Sequence, residues 1–357
     1  MPDYPSRDPA AFRSERLRFI VWSERETPEG VTVRRGQWPQ VRNAREGGAD
    51  AGPTGKPWIH SNGWAIQLAQ AQEPGKTVWL AHEPPESPRP GSFLLAAIEA
   101  EAYGGRWILP ARVPAAENVI AALEFFEEHA AWRNWRTVAA VGVMSDFKGA
   151  NLFLSTEVLN LASRRPLPYL VFDSARQQWP SLAGLRALAY LDSGSVPGDL
   201  RARLMTFAAS GRLLIAPGGF ITSVSGSSRL GYNIHATGKG EVAIPPRKWV
   251  DPFLVANDIH LLVGREADVL RLYNAGSMNC HYTQSPDGKR AVVHLLNYGL
   301  RAAAHAVTVA LAQPYRSARL FTLDAPKGVA IDVAATRFGV EIGLPEFAVY
   351  AAIELES

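Results

Sequence analysis

Residues 137–146 read TVAAVGVMSD, an apolar run over 137–144 closed by Ser145 and Asp146. A short, nearly uninterrupted apolar run is the pattern of a strand buried on both faces, which parallel sheets between helices produce. The next stretches repeat the theme. The spacing predicts a helix over 151–163, a strand over 168–172 and a strand over 185–191. A helix over 200–210 follows, with Leu200, Leu204, Phe207 and Ala208 on one face and Gly211 as its terminating glycine. Residues 212–216 form the next strand, and 241–244 and 251–262 supply a further strand and helix. This alternation predicts a flavodoxin-like, doubly wound parallel sheet over 136–264.

Downstream, from about Arg265, the period changes to two. The runs 292–296, 306–311, 317–321, 339–342 and 347–355 read as strands. Turn signals separate them: Pro286-Asp287-Gly288, Asp324-Ala325-Pro326 and Gly343-Leu344-Pro345. No long helix intervenes, so 265–357 reads as an antiparallel β-sandwich.

Upstream, strand and helix alternate again. A helix over 64–72 stops at Pro74-Gly75, and TVWLA (77–81) is a strand. Glu83-Pro84-Pro85 breaks it and opens a Pro-rich loop to Gly91. A helix over 93–103 ends at Gly104-Gly105, followed by a strand over 106–109 and a helix over 116–132. Before residue 60 the pattern gives one strand (19–22), one loop (47–56) and otherwise extended chain packed on other domains. Residues 1–135 therefore read as an incomplete, barrel-like α/β region, and the whole chain as an α/β protein.

Composition narrows the function. The 357 residues carry 37 basic and 34 acidic side chains, a net +3 that is too weak a bias for nucleic-acid binding. The single cysteine, Cys280, excludes an internal disulfide framework and cysteine-rich metal sites. It also lies far from any strand–helix elbow, which excludes amidotransferase chemistry through an activated thiol. No HExxH, GxGxxG, P-loop or GxSxG occurs, so neither metal nor cofactor is expected. Pro217-Gly218-Gly219 reads as a tight turn, and 223–228 as a loop. Residues 1–18 lack an apolar signal segment, and no run of about 18 apolar residues appears, so a cytoplasmic location without membrane contact is expected.

The order of parts resembles the C-terminal portion of the β-galactosidases of glycoside hydrolase family 42. In those a (β/α)8 barrel precedes an amidotransferase-like trimerisation domain and a small sandwich. The stretches that carry the resemblance are AVGVMSD (140–146), LAYLDS (188–193) with GRLLIAPGG (211–219), and VVHLLN (292–297). TVWLAHE (77–83) and GGRWILP (104–110) are similar to a penultimate and a final barrel strand. The resemblance implies a hydrolase acting on carbohydrate, a nucleophile role for Glu83 and a homo-oligomer built through 136–264. Length limits it. Residues 265–357 take 93 and 136–264 take 129, leaving 135 where a barrel needs at least about 200. The alternatives are a non-catalytic sugar-binding or oligomerisation module with a degenerate barrel, or a piece of a larger glycosidase.

Two carboxylates stand out as catalytic candidates. Glu83 follows a strand and begins a loop, where α/β enzymes place reacting groups; the plainer reading is an exposed loop acid. Asp146 follows the strand of the middle domain; the plainer reading is a polar cap before the next helix, as also for Asp173 and Asp192. His82 would face away from Glu83 if the strand continued. For sugar contact the candidates are Trp58, His60, Asn62 and Trp64 of PWIHSNGW, with Trp107 as a further wall. Aromatic faces stack on sugar C–H surfaces while imidazole and amide groups bond hydroxyls. Ser61 or Asn62 could instead cap the following helix. His281 and His294 fall in strands and read as structural.

Overall fold

The computed structural model describes residues 2–42, 57–83, 91–221, 226–301 and 305–357. The chain is mixed α/β and forms two compact units, 1–137 together with 270–357, and 138–269. The two ends of the chain, read from sequence as separate domains, thus share one unit. The loop expected at 47–56, the Pro-rich loop after Glu83 and residues 223–225 of the loop expected at 223–228 lie outside the described residues.

In the second unit the strands Val141–Ser145, Tyr169–Asp173, Ala187–Tyr190, Leu213–Ile215 and Gly240–Ile244 are parallel. Their spatial order is second, first, third, fourth, fifth. That is a doubly wound order, with its switch point between the first and third strands. The hairpin Ser227–Arg229 and Tyr232–Thr237 adds two antiparallel strands to the far edge. Leu200, Leu204, Phe207 and Ala208 of the helix Gly198–Ala209 pack with Met144, Leu188, Leu214 and Val242 of the sheet. Gly142 makes this packing possible: a Cβ there would stand 2.7–2.9 Å from Leu188, Leu185 and Phe172.

The first unit holds two antiparallel sheets from its C-terminal portion. One orders Leu270–Tyr273, Thr308–Leu311, Gly339–Gly343 and Ala334–Thr336. The other orders Ala325–Ile331, Ser317–Thr322, Tyr350–Glu356, Arg290–Asn297, Met278–Gln284 and Arg136–Thr137. Val292, Leu296, Phe321 and Tyr350 of the larger sheet share one core with Phe125, Phe126 and Trp132, from the helix Ala116–Glu128 and the turn after it.

The N-terminal portion is more regular than its sequence suggests. Asp3–Ser6 pairs in parallel with Arg18–Val21, and Val31–Arg35 with Thr77–Ala81. Thr77–Ala81 pairs in parallel with Arg106–Trp107. Ser6 bridges Leu109 in parallel, joining the two sets. Five parallel strands therefore run in the order second, first, fifth, fourth, third. This is the circular order of a parallel barrel, with no ladder between Arg18–Val21 and Val31–Arg35 among the described residues. Side chains alternate as the pleat requires. Ile20, Trp22, Val31, Val33, Trp79, Ala81 and Ile108 pack together on one face. Tyr4, Val78, Leu80, Trp107 and Leu109 face the helices Gly63–Gln72, Ser92–Ala102 and Ala116–Glu128.

Candidate functional site

The C-terminal ends of four of these strands converge on one cavity of about 440 Å³. Arg7, Trp22, Glu24, Thr27, Arg34, Arg35, His82 and Glu83 line it, with Val33 and Ala81 at its base. The C-terminal mouth is where parallel barrels carry their chemistry, because the loops there are free to vary above a rigid core. The volume falls in the range of small-molecule sites, about 300–1,000 Å³.

Parity explains who reaches the cavity. Val31, Val33 and Arg35 share one face of their strand, as do Trp79, Ala81 and, by extension, Glu83. Glu83 makes an ion pair with Arg7, Oε1 to guanidinium nitrogen at 2.5 Å, and the Arg7 guanidinium lies 5.8 Å from the Trp22 ring centroid. Glu83 is 69% exposed, so its carboxylate faces the open cavity and is not sealed in the core. His82 also lines the cavity, although strict alternation would turn it away. The strand ends at Ala81, so Glu83 need not stay on the far side from it. Its ring packs edge-on against Trp107. Burial, with the nearby Arg35 charge, holds its imidazole below the usual histidine range, while Glu83 acts in the opposite sense.

The aromatic–polar cluster lies beside this site and is mostly committed to structure. Gln37, two residues beyond Arg35, donates its backbone N–H to Asn62 Oδ1 at 2.7 Å. Asn62 Nδ2 donates to Gln37 O at 2.9 Å and to Glu99 Oε2 at 2.7 Å. Asn62 is 2% exposed with its amide fully engaged, so it has nothing left for a sugar hydroxyl. It stands at the start of the helix Gly63–Gln72, but its side chain makes no capping bond there. His60 Nδ1 meets Gln37 Oε1 at 3.1 Å and stays half-buried, as do Trp58 and Trp64. Trp107 is 1% exposed and packs on Trp38; it backs His82 and offers no wall to a ligand.

Asp146 belongs to the second unit. Its Oδ1 accepts from Lys148 N at 3.0 Å and Asn151 Nδ2 at 3.1 Å, which is the loop-stabilising role of its plainer reading. The more heavily bonded carboxylate there is Asp192. It accepts from Ser145 Oγ and Ser174 Oγ, each at 2.6 Å, and from Asp146 N. His294 is buried and His281 half-buried in the first unit, as their strand positions suggest.

Sequence reasoning missed Arg7, Trp22, Glu24, Arg34 and Arg35. All lie before residue 60. VTVRR (31–35) carries the usable signal, a β-branched alternation ending in two cations.

No protein-family model matches the sequence, and no relative is found among curated proteins. Solved structures do match. The chain resembles an α-L-fucosidase isoenzyme 2 from Paenibacillus thiaminolyticus (TM-score 0.57, 12% identity, 82% of this chain and 62% of that one). It resembles Gan42B, a GH42 β-galactosidase from G. stearothermophilus (0.56, 12%, 83% and 56%). It also resembles a rhamnosidase from Novosphingobium sp. PP1Y (0.58, 13%, 92% and 34%). The fold is thus like that of glycoside hydrolases, and the chain spans less than two-thirds of these enzymes' length. Among the described residues no helix is long and apolar enough to cross a membrane.

Proposed function

We propose that this protein is a glycoside hydrolase-like, carbohydrate-active protein whose sugar site is the cavity at the mouth of the five parallel strands. The observation that carries this reading is Glu83, held by Arg7 at the C-terminal end of its strand and open to that cavity. A glycosidase of the usual kind needs two carboxyl groups flanking the bond. Glu24 lines the same cavity and supplies the second. In this reading the Glu83 carboxylate attacks the anomeric carbon while the Glu24 acid gives its proton to the leaving oxygen. Water then attacks the glycosyl ester, Glu24 takes a proton from it, and Glu83 is released as carboxylate. Trp22 offers an aromatic edge to the sugar, and Arg7 orients Glu83.

One observation favours a second reading, sugar binding without turnover. Among the described residues no ladder closes the second strand onto the third, and Glu83 is largely exposed, so water is not excluded from the reacting groups. Turnover of p-nitrophenyl glycosides (β-galactoside, α-fucoside, α-rhamnoside, β-glucuronide) separates the two. Hydrolysis by the wild type that falls at least 100-fold in Glu83→Gln supports the first. Binding of the same glycosides without turnover supports the second. Neither turnover nor binding overturns both. Self-association through residues 136–264 belongs to the same proposal, and a monomer by light scattering at micromolar concentration would remove it.

A further inference from the structure

The cavity's charges do not cancel evenly, and the imbalance points to a ligand class. Three arginines line it. Arg7 is neutralised by Glu83 at 2.5 Å. Arg34 is bound by Glu73 at 2.5 Å, a carboxylate that also takes Lys76 Nζ and Thr32 Oγ1. Arg35 differs from both. It is exposed at the cavity, lies on the strand face shared with Val33, and has no carboxylate partner among the described residues. Its charge is felt across the cavity by His82, whose imidazole it helps to keep neutral.

A guanidinium left unpaired at the rim of a small-molecule cavity is suited to an anion that offers two neighbouring acceptor oxygens. It presents paired N–H donors that match a carboxylate or sulfate in two-point contact. A neutral His82 beside it adds no competing cation and can still donate or accept one hydrogen bond. Resting on the carbohydrate reading above, we infer that this site selects an anionic sugar, a uronate or a sulfated hexose. Arg35 is its specificity-determining residue. Arg7 cannot take that part, because its guanidinium is engaged by the carboxylate that faces the sugar. Arg34 cannot either, because Glu73 draws it toward the helix Gly63–Gln72, which Glu73 terminates.

The test is calorimetric titration with methyl β-D-glucuronide, galactose 6-sulfate and, as the neutral comparison, methyl β-D-galactoside. The proteins are the wild type, Arg35→Gln and Arg35→Lys. The wild type should bind at least one anionic sugar about tenfold or more tighter than the neutral one. That ratio should shrink between 50 and 500 mM NaCl, as a partly screened charge contact requires. It should fall below about twofold in Arg35→Gln and recover in part in Arg35→Lys. Equal or tighter binding of the neutral sugar, or a ratio unchanged in Arg35→Gln, overturns the inference while leaving a carbohydrate site standing. Failure of all three sugars to bind overturns the carbohydrate reading and this inference with it.

Discussion

Acid should weaken the first unit through His281, and the size of the effect can be worked from its surroundings. The ring is half-buried and stacked on Tyr103 at 4.4 Å between centroids. Its Nδ1 sits 2.8 Å from Ala102 O, so that nitrogen carries the proton. Its Nε2 lies 3.0 Å from Thr137 Oγ1 and accepts from the hydroxyl. The neutral ring is fully satisfied, and a second proton would reverse the Thr137 bond and put a charge where little water can solvate it. Burial therefore pulls its pKa from 6.5 down to about 4, against a smaller opposing effect of Ala102 O. The folded form binds fewer protons than the unfolded one in this window. The stabilisation is complete above pH 6.5 and is lost as pH falls toward 4. At about 1.36 kcal/mol per pH unit, the full loss is about 3 kcal/mol. Neighbouring groups also titrate: burial lowers His294, adding loss of the same sign, and raises Glu99 and Glu101, which act oppositely. A difference between proteins isolates His281. Urea unfolding of the wild type and His281→Gln at pH 7 and pH 4 should show the wild-type advantage shrinking by about 3 kcal/mol. An advantage that does not change with pH would refute the reasoning.

Three further substitutions test the packing. Gly142→Ala places a methyl 2.7 Å from Leu188 and 2.8 Å from Leu185, so it should cost about 1–3 kcal/mol in urea unfolding. Tyr298→Phe removes the 2.5 Å bond to the buried Glu99 carboxylate and should cost about 1–3 kcal/mol, with a smaller penalty at low pH where Glu99 is protonated. Asp192→Asn weakens the acceptor shared by Ser145, Ser174 and Asp146 N; a loss of about 1–3 kcal/mol, read by thermal unfolding, is expected.

Legibility of the sequence followed local pattern. The strand TVWLA was read with its true ends, and the middle sheet with its parallel strands, because buried parallel strands are uniformly apolar. The hairpin at 227–237 was lost because Ser227-Ser228-Arg229 is fully exposed and carries no hydrophobic period. The N-terminal strands were lost for a different reason. Asp3–Ser6 holds a proline and two polar residues, and its order comes from Arg18–Val21 and Leu109, which lie far along the chain. The same non-local pairing assembles the cavity, so Arg7 and Glu83 meet although 76 positions separate them. Glu83 could be nominated from its place after a strand. Asn62 and Trp107 could not be excluded, since a side chain spent on Glu99 or on Trp38 looks no different in sequence from one free to meet a ligand.

The central claim, that the five-strand mouth is a carbohydrate site, is tested most directly by a crystal structure of the protein soaked with the tightest-binding glycoside. The sugar ring should lie in the cavity among Arg7, Trp22 and Glu83, within hydrogen-bond reach of the Glu83 carboxylate. A sugar bound elsewhere on the molecule, with that cavity holding only solvent, would contradict it.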